Sequence, residues 1–196
     1  LSVWGSEATY NQNKSAINSV GTSPSYDKIQ PQDILYGRFI NGIDMAEKRK
    51  VCTIGDQVYN NLFPFGGDPL GEYIEIHDVQ FQIIGVIKAN DSGMTFGGNP
   101  KQQVIMPITT MQTIYNRGDN IDFFFLSGEK GYAMSQLQEK IEAAVKEAHT
   151  IAPNDPQGIF FLNTEAMYQM VSSLLTGIHV LIWLIGIGTL LAGIIG

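Results

Sequence analysis

Few side chains in this sequence are of the types that do chemistry, and their spacing narrows what that chemistry is. There are three histidines, His77, His149 and His179, and one cysteine, Cys52. None of the histidines has a second histidine at ligand spacing, and Cys52 is far from all three, so zinc is not expected. Glu75 and His77 are two apart in a strand-like run and share a face. They suit an ion-chelating or acid–base pair, but the polar side of an exposed sheet explains them equally well. Cys52 sits in the apolar run Val51-Cys52-Thr53-Ile54 and cannot form an internal disulfide. No glycine-rich turn leads into Lys and Ser or Thr; Gly93–Gly98 lacks that lysine and meets Pro100, so no phosphate cradle is expected. The chain therefore predicts no catalytic residues, no metal and no cofactor site of its own.

Aromatic residues are the other candidates. Phe123-Phe124-Phe125 and Phe160-Phe161 fall in strand-like runs and predict paired core strands. Met94 and Phe96 differ, because they stand in a polar loop where burial is not expected, and they are candidates for an apolar tip that meets a partner.

The elements that position these residues follow from pattern. Ser2–Tyr10 and Ser15–Val20 flank the turn-forming Asn11-Gln12-Asn13 and predict a hairpin. A helical turn is expected over 24–30 and an extended piece over 34–40. Val51–Ile54 is a short strand ended by Gly55; Asp56 then offers a cap to a helix through Phe63, with Val58, Leu62 and Tyr59 inward. Glu72–Ile76 and Val79–Ile87 alternate and predict a second hairpin turning at His77-Asp78. Strands are expected at Val104–Met106, Ile121–Leu126 and Ile159–Leu162, and a helix over Ile108–Tyr115. Tyr132–His149 places Leu137, Ile141, Val145 and Ala148 at helical spacing.

Lys plus Arg number 12 against 19 Asp plus Glu, a net charge of -7, which argues against nucleic acid as a partner. The one basic run, Lys48-Arg49-Lys50, follows Asp44 and Glu47 and predicts a solvated turn. The mean hydropathy of 0.00 averages two unlike parts. Residues 1–165 hold all the charge; after Glu165 there is no Asp, Glu, Lys or Arg. Gly177–Gly196 is apolar apart from His179 and Thr189, and twenty residues of helix span roughly 30 Å, the thickness of a bilayer's hydrocarbon core. A transmembrane helix is predicted, with His179 near its start as an interfacial residue. Asn163 is a candidate cap for that helix. Met167, Met170, Val171, Leu174 and Leu175 form an apolar stripe ahead of the span, a stalk continuous with it. Gly188, Ala192 and Gly196 recur every four residues and offer a stripe for close helix packing. The chain ends while still apolar, which predicts a segment of a longer polytopic protein.

The order and types of several short motifs resemble a known family. Gly37-Arg38-Phe39, Val51-Cys52-Thr53-Ile54-Gly55, Leu62-Phe63, Pro69-Leu70-Gly71, the strand Ile74–Ile76, Phe81-Gln82-Ile83-Ile84-Gly85-Val86 and Val104-Ile105-Met106-Pro107 are similar to the periplasmic core of MacB-type ABC transporter permeases, and the last helix resembles the start of the FtsX-like membrane region. The resemblance implies an α+β fold: a two-lobed mixed α/β extracytoplasmic domain, an amphipathic stalk and one transmembrane helix. It implies an outer lobe at 1–103, part of a membrane-proximal lobe at 104–162, and stalk and span at 163–196. A missing first half of the proximal lobe would leave Val104–Met106 or Ile121–Leu126 as an exposed sheet edge, or paired with another chain.

The resemblance also implies a place in the bacterial inner membrane, with residues 1–165 on the periplasmic side. The partners it implies are a cytoplasmic ABC ATPase that binds the ATP, a second permease copy, a periplasmic adaptor and membrane lipid. Stalk residues Met167–Leu175 would transmit motion, and Met94 and Phe96 would touch adaptor or substrate. Export of a drug, peptide or toxin, lipoprotein handling and activation of a cell-wall hydrolase all fit such a permease. The competing class is a ligand-sensing domain whose membrane helix reports to a kinase or cyclase, which needs a pocket with convergent polar groups.

Overall fold

The computed structural model describes residues 1–88, 98–127, 134–152, 155, 158–162 and 164–195. Strands β1 (Ser2–Tyr10) and β2 (Asn13–Thr22) form the predicted hairpin, turning at Asn11 with φ +52°. After a one-turn helix α1 (Tyr26–Ile29) come β3 (Asp33–Gly37), α2 (Gly42–Ala46), β4 (Val51–Gly55) and α3 (Asp56–Leu62). Helix α3 buries Val58 and Leu62 and packs Tyr59 beside them, as its spacing predicts. Asp56 does not cap it from outside. Gly55 precedes the helix, Asp56 is its first residue, and Asp56 Oδ1 accepts the Gln57 N–H at 3.0 Å. A side chain could not replace Gly55, since its Cβ would sit 2.5 Å from the Lys101 carbonyl oxygen.

Strands β5 (Tyr73–Ile76) and β6 (Val79–Lys88) pair antiparallel around His77 and Asp78. Both turn residues have positive φ, +48° and +61°, the requirement of a two-residue turn that matches strand twist. Strand β7 (Gln103–Pro107) and helix α4 (Ile108–Ile114) follow.

The strand order is β3-β6-β4-β7-β2-β1-β5, and β5 pairs again with β6. Six strands thus form a closed ring of pairings, and β3 extends β6 beyond it. Closure overturns the exposed edge expected at Val104–Met106. Strand β7 is flanked by β2 in parallel and β4 antiparallel, so no strand from another chain is needed there. The edge lies at β3, whose single partner among the described residues is β6 and whose five residues are all exposed. Central β4 and β7 are buried at every position, which accounts for their largely apolar sequences, with Thr53 and Gln103 as the buried polar exceptions. Ala8, Ile17, Ile54, Ile74, Ile76, Phe81, Ile83, Val104 and Met106 make the main core, and Tyr26, Phe39, Ile40, Ile87 and Ile105 a second cluster.

Residues 121–126 are not a strand. The Ser2 N–H donates to Asp122 Oδ2 at 3.0 Å, and Phe125 packs edge-on against Tyr26 at 5.7 Å. The segment is pinned at points, while Phe123 and Phe124 stay half exposed. Ile159–Leu162 is not a strand either; Phe160 is 86% exposed, and no ladder partner exists for it among the described residues.

The chain divides into two compact units, Leu1–Leu126 and Ser127–Gly196, a different division from 1–103 and 104–162. A boundary at 103/104 would fall within β7, in the middle of the sheet. The second unit holds α5 (Met134–Ala148) and α6 (Thr164–Ile195). On α5, Leu137, Ile141 and Val145 are half-buried on one face, as predicted, whereas Ala148 is exposed.

Candidate functional site: a buried carboxylate anchor and an apolar helix

Two places concentrate what this chain can do. The first is built around Asp44, the one carboxylate among the described residues that is fully buried. Asn41 starts α2 by accepting the N–H groups of Ile43 and Asp44, and Asp44 reciprocates by accepting the Asn41 N–H at 3.0 Å. Arg38 then donates twice to the same carboxylate, at 2.6 and 3.1 Å, and once to the Phe39 carbonyl at 3.0 Å. Arg49 stands 3.8 Å from Asp44 and donates to Glu47 at 2.8 Å. Burial alone would raise the Asp44 carboxyl, but the bonds from Arg38 and the Asn41 N–H, with the charges of Arg38 and Arg49, outweigh it and hold the group below its ordinary value.

Backbone contacts bring Arg38 to this position. The Arg38 N–H donates to the Ile84 carbonyl at 2.9 Å where β3 ends against β6. A Cβ on Gly37 would collide with the Ile84 carbonyl oxygen, and one on Gly85 with the Arg38 carbonyl oxygen. Thr109 and Thr110 of α4 donate to the carbonyls of Met45 and Arg49 at 2.8 and 2.9 Å and fix α2 and its following turn. This arrangement is an anchor with no free nucleophile or base. Cys52 is fully buried, and burial pushes its thiol well above the usual range. His77 Nδ1 lies 2.8 Å from the Tyr115 hydroxyl, so its polar partner is a tyrosine on another element, and Glu75 stays exposed on β5.

The second place is α6. Its 32 residues include one apolar stretch long enough to cross a membrane, Met167–Leu190, none of it buried. Met167, Met170, Val171, Leu174 and Leu175, the stalk stripe, fall inside this stretch and are all exposed. Three of its polar side chains bond within the helix. Thr176 donates to the Ser172 carbonyl at 2.9 Å, Thr189 to that of Gly186 at 2.9 Å, and His179 Nδ1 lies 3.0 Å from the Leu175 carbonyl oxygen. A helix facing hydrocarbon needs this internal pairing. A Cβ added at Gly188 would meet nothing within 4 Å, as at Gly177, Gly186 and Gly193 of the same helix. Ala192 is helical but its side chain, like all of Gly196, lies outside the described residues, and so do Asn163, Met94 and Phe96.

The sequence profile of the MacB-like periplasmic core domain matches residues 2–144. The chain belongs to this family. It is 26% identical over 176 residues to a macrolide export ATP-binding/permease protein MacB of Rhodospirillum rubrum, covering 90% of this chain and 26% of that protein. A MacB of Shewanella sp. is 24% identical over 193 residues, 97% of this chain and 29% of the relative. A pyoverdine export ATP-binding/permease protein, PvdT, of Pseudomonas entomophila is 21% identical over 117 residues, 59% of this chain and 18% of the relative. The chain thus spans about a quarter of the length of the curated MacB proteins it matches.

Solved structures show the same fold. The periplasmic region of MacB from Actinobacillus actinomycetemcomitans superposes with a TM-score of 0.67 at 14% identity, covering 87% of this chain and 72% of that one. The extracellular domain of the noncanonic ABC-type transporter YknZ from Gram-positive bacteria gives 0.61 at 16%, covering 74% and 71%. This MacB-like core domain places Gly37, Gly85 and Arg38 of its motifs where β3 pairs with β6.

Proposed function

We propose that this chain is the extracytoplasmic domain and first following membrane helix of an ABC transporter permease in a bacterial inner membrane. It couples cytoplasmic ATP hydrolysis to movement outside the membrane, in export or lipoprotein handling. The observation that best supports this is a MacB-like core domain on the same chain as a 24-residue apolar stretch free of Asp, Glu, Lys and Arg. ATP is bound by an ATPase domain or subunit outside this chain; a second permease copy, a periplasmic adaptor and lipid complete the assembly.

Movement of the membrane helices reaches the outer domain through α6, with Met167, Met170, Val171, Leu174 and Leu175 as the coupling stripe and Gly188, Ala192 and Gly196 as the packing stripe. For coupling to occur, the stripe must make different contacts in the two nucleotide states. In the full-length transporter, Met170→Asp and Leu174→Asp are expected to leave ATP hydrolysis running while transport falls. An unchanged ratio of transport to hydrolysis in both variants would refute the lever. The export ATP-binding/permease relatives favour this role over a sensor reporting to a kinase or cyclase.

A further inference from the structure

Strands β4, β5 and β6 carry a surface that the transport mechanism does not use. Gln80, Gln82 and Ile84 alternate with the buried Phe81 and Ile83, so they line the face of β6 turned away from the main core. Register sets Tyr73 of β5 on one side of Gln82 and Val51 of β4 on the other. With Arg38, Arg49 and Lys50 these residues line an open, shallow cleft of about 400 Å³.

The charge of the cleft is uneven. Between Arg38 and Lys50 the chain carries four cations, Arg38, Lys48, Arg49 and Lys50, against the carboxylates Asp44 and Glu47, within a protein of net charge -7. Buried Asp44 holds Arg38 in two bonds and stands beside Arg49, while the two arginine side chains remain 44% and 46% exposed. The guanidinium groups are therefore fixed in position and still reach solvent. Lys50 makes no ion pair among the described residues. Glu75 stands opposite Gln80 on β5 and does not line the cleft. Half-exposed Tyr73, with Val51 and Ile84, supplies an apolar surface beside them.

We propose that this cleft binds an organic anion, with its oxyanion group on Arg38, Arg49 and Lys50 and its apolar body against Tyr73, Val51 and Ile84. The planar guanidinium of Arg38, already held by buried Asp44, and that of Arg49, bonded to exposed Glu47 at 2.8 Å, suit carboxylate or phosphate oxygens and lose little freedom on binding. The site does not depend on the transport role.

Phenyl phosphate is the probe. It is titrated into the whole chain in neutral-detergent micelles, with the methyl NMR signals of Val51 and Ile84 as reporters. Saturable shifts are expected, with affinity falling about fivefold between 50 and 500 mM salt. Lys50→Glu, which leaves the Asp44 anchor intact, is expected to weaken binding about tenfold, and Tyr73→Ala to weaken phenyl phosphate but not inorganic phosphate. Absence of saturation, or equal binding of benzyl alcohol, overturns the anion site. Affinity unmoved by both salt and Lys50→Glu overturns it as well. Inorganic phosphate binding as tightly as phenyl phosphate overturns the apolar wall. No ATPase is present in this experiment, so failure of the transport role leaves its outcome unchanged.

Discussion

Asp44 shows how one residue sets local structure and charge together. It closes the start of α2, takes both prongs of Arg38 and stands next to Arg49. Asp44→Asn keeps the size and removes the charge, leaving Arg38 without its counter-ion while Arg49 keeps Glu47; we expect a loss of about 2–3 kcal/mol, less than for a wholly buried pair because Arg38 is half exposed. Urea unfolding followed by fluorescence measures it. The carboxyl is held below its ordinary value of 3.8, so the stability it contributes is fully present above about that pH and is lost as pH falls through the lower folded-state value. The wild type should therefore lose more stability than Asp44→Asn on acidification below pH 4. Cys52, buried and with its thiol pushed up, should stay unreactive to a thiol reagent until the domain unfolds. The motif Gly37-Arg38-Phe39 was visible in the sequence, but its partner was not. Asn41 and Asp44 have capping-box spacing, and that signal would have singled out a carboxylate read only as a neighbour of the basic run.

Among the elements, hairpins and helices were the legible part. Alternation in β5 and β6 and the spacing in α3 and α5 are local signals, and the structure follows them. The failures at 121–126 and 159–162 share a cause. Three or two phenylalanines in a row suit a strand locally, but a strand exists only where a ladder has room, and that depends on residues far away in sequence. Closure of the ring through the pairing of β1 with β5 was illegible for the same reason. Two predictions belong at this scale. Asp78 sits at φ +61°, where glycine carries no steric penalty, so Asp78→Gly should raise stability by roughly 0.5–1 kcal/mol in thermal melts. Gly85→Ala should cost about 2 kcal/mol or more, because its Cβ meets the Arg38 carbonyl and pushes β3 off β6.

The chain joins a closed-ring core domain to a helix with a 24-residue stretch free of Asp, Glu, Lys and Arg. After Glu165 the sequence alone marks that helix as a candidate membrane span, since it is charge-free and long enough to cross a bilayer. The curated relatives extend well beyond the quarter that this chain spans. The central claim is that an ABC ATPase drives this domain. Purifying the full-length native protein in mild detergent and identifying its components by mass spectrometry tests that claim most directly. An ABC ATPase, on the same polypeptide or as a stoichiometric partner, is the predicted result. A signalling kinase or cyclase in its place, or a pure protein with no ATPase domain or partner, would contradict it.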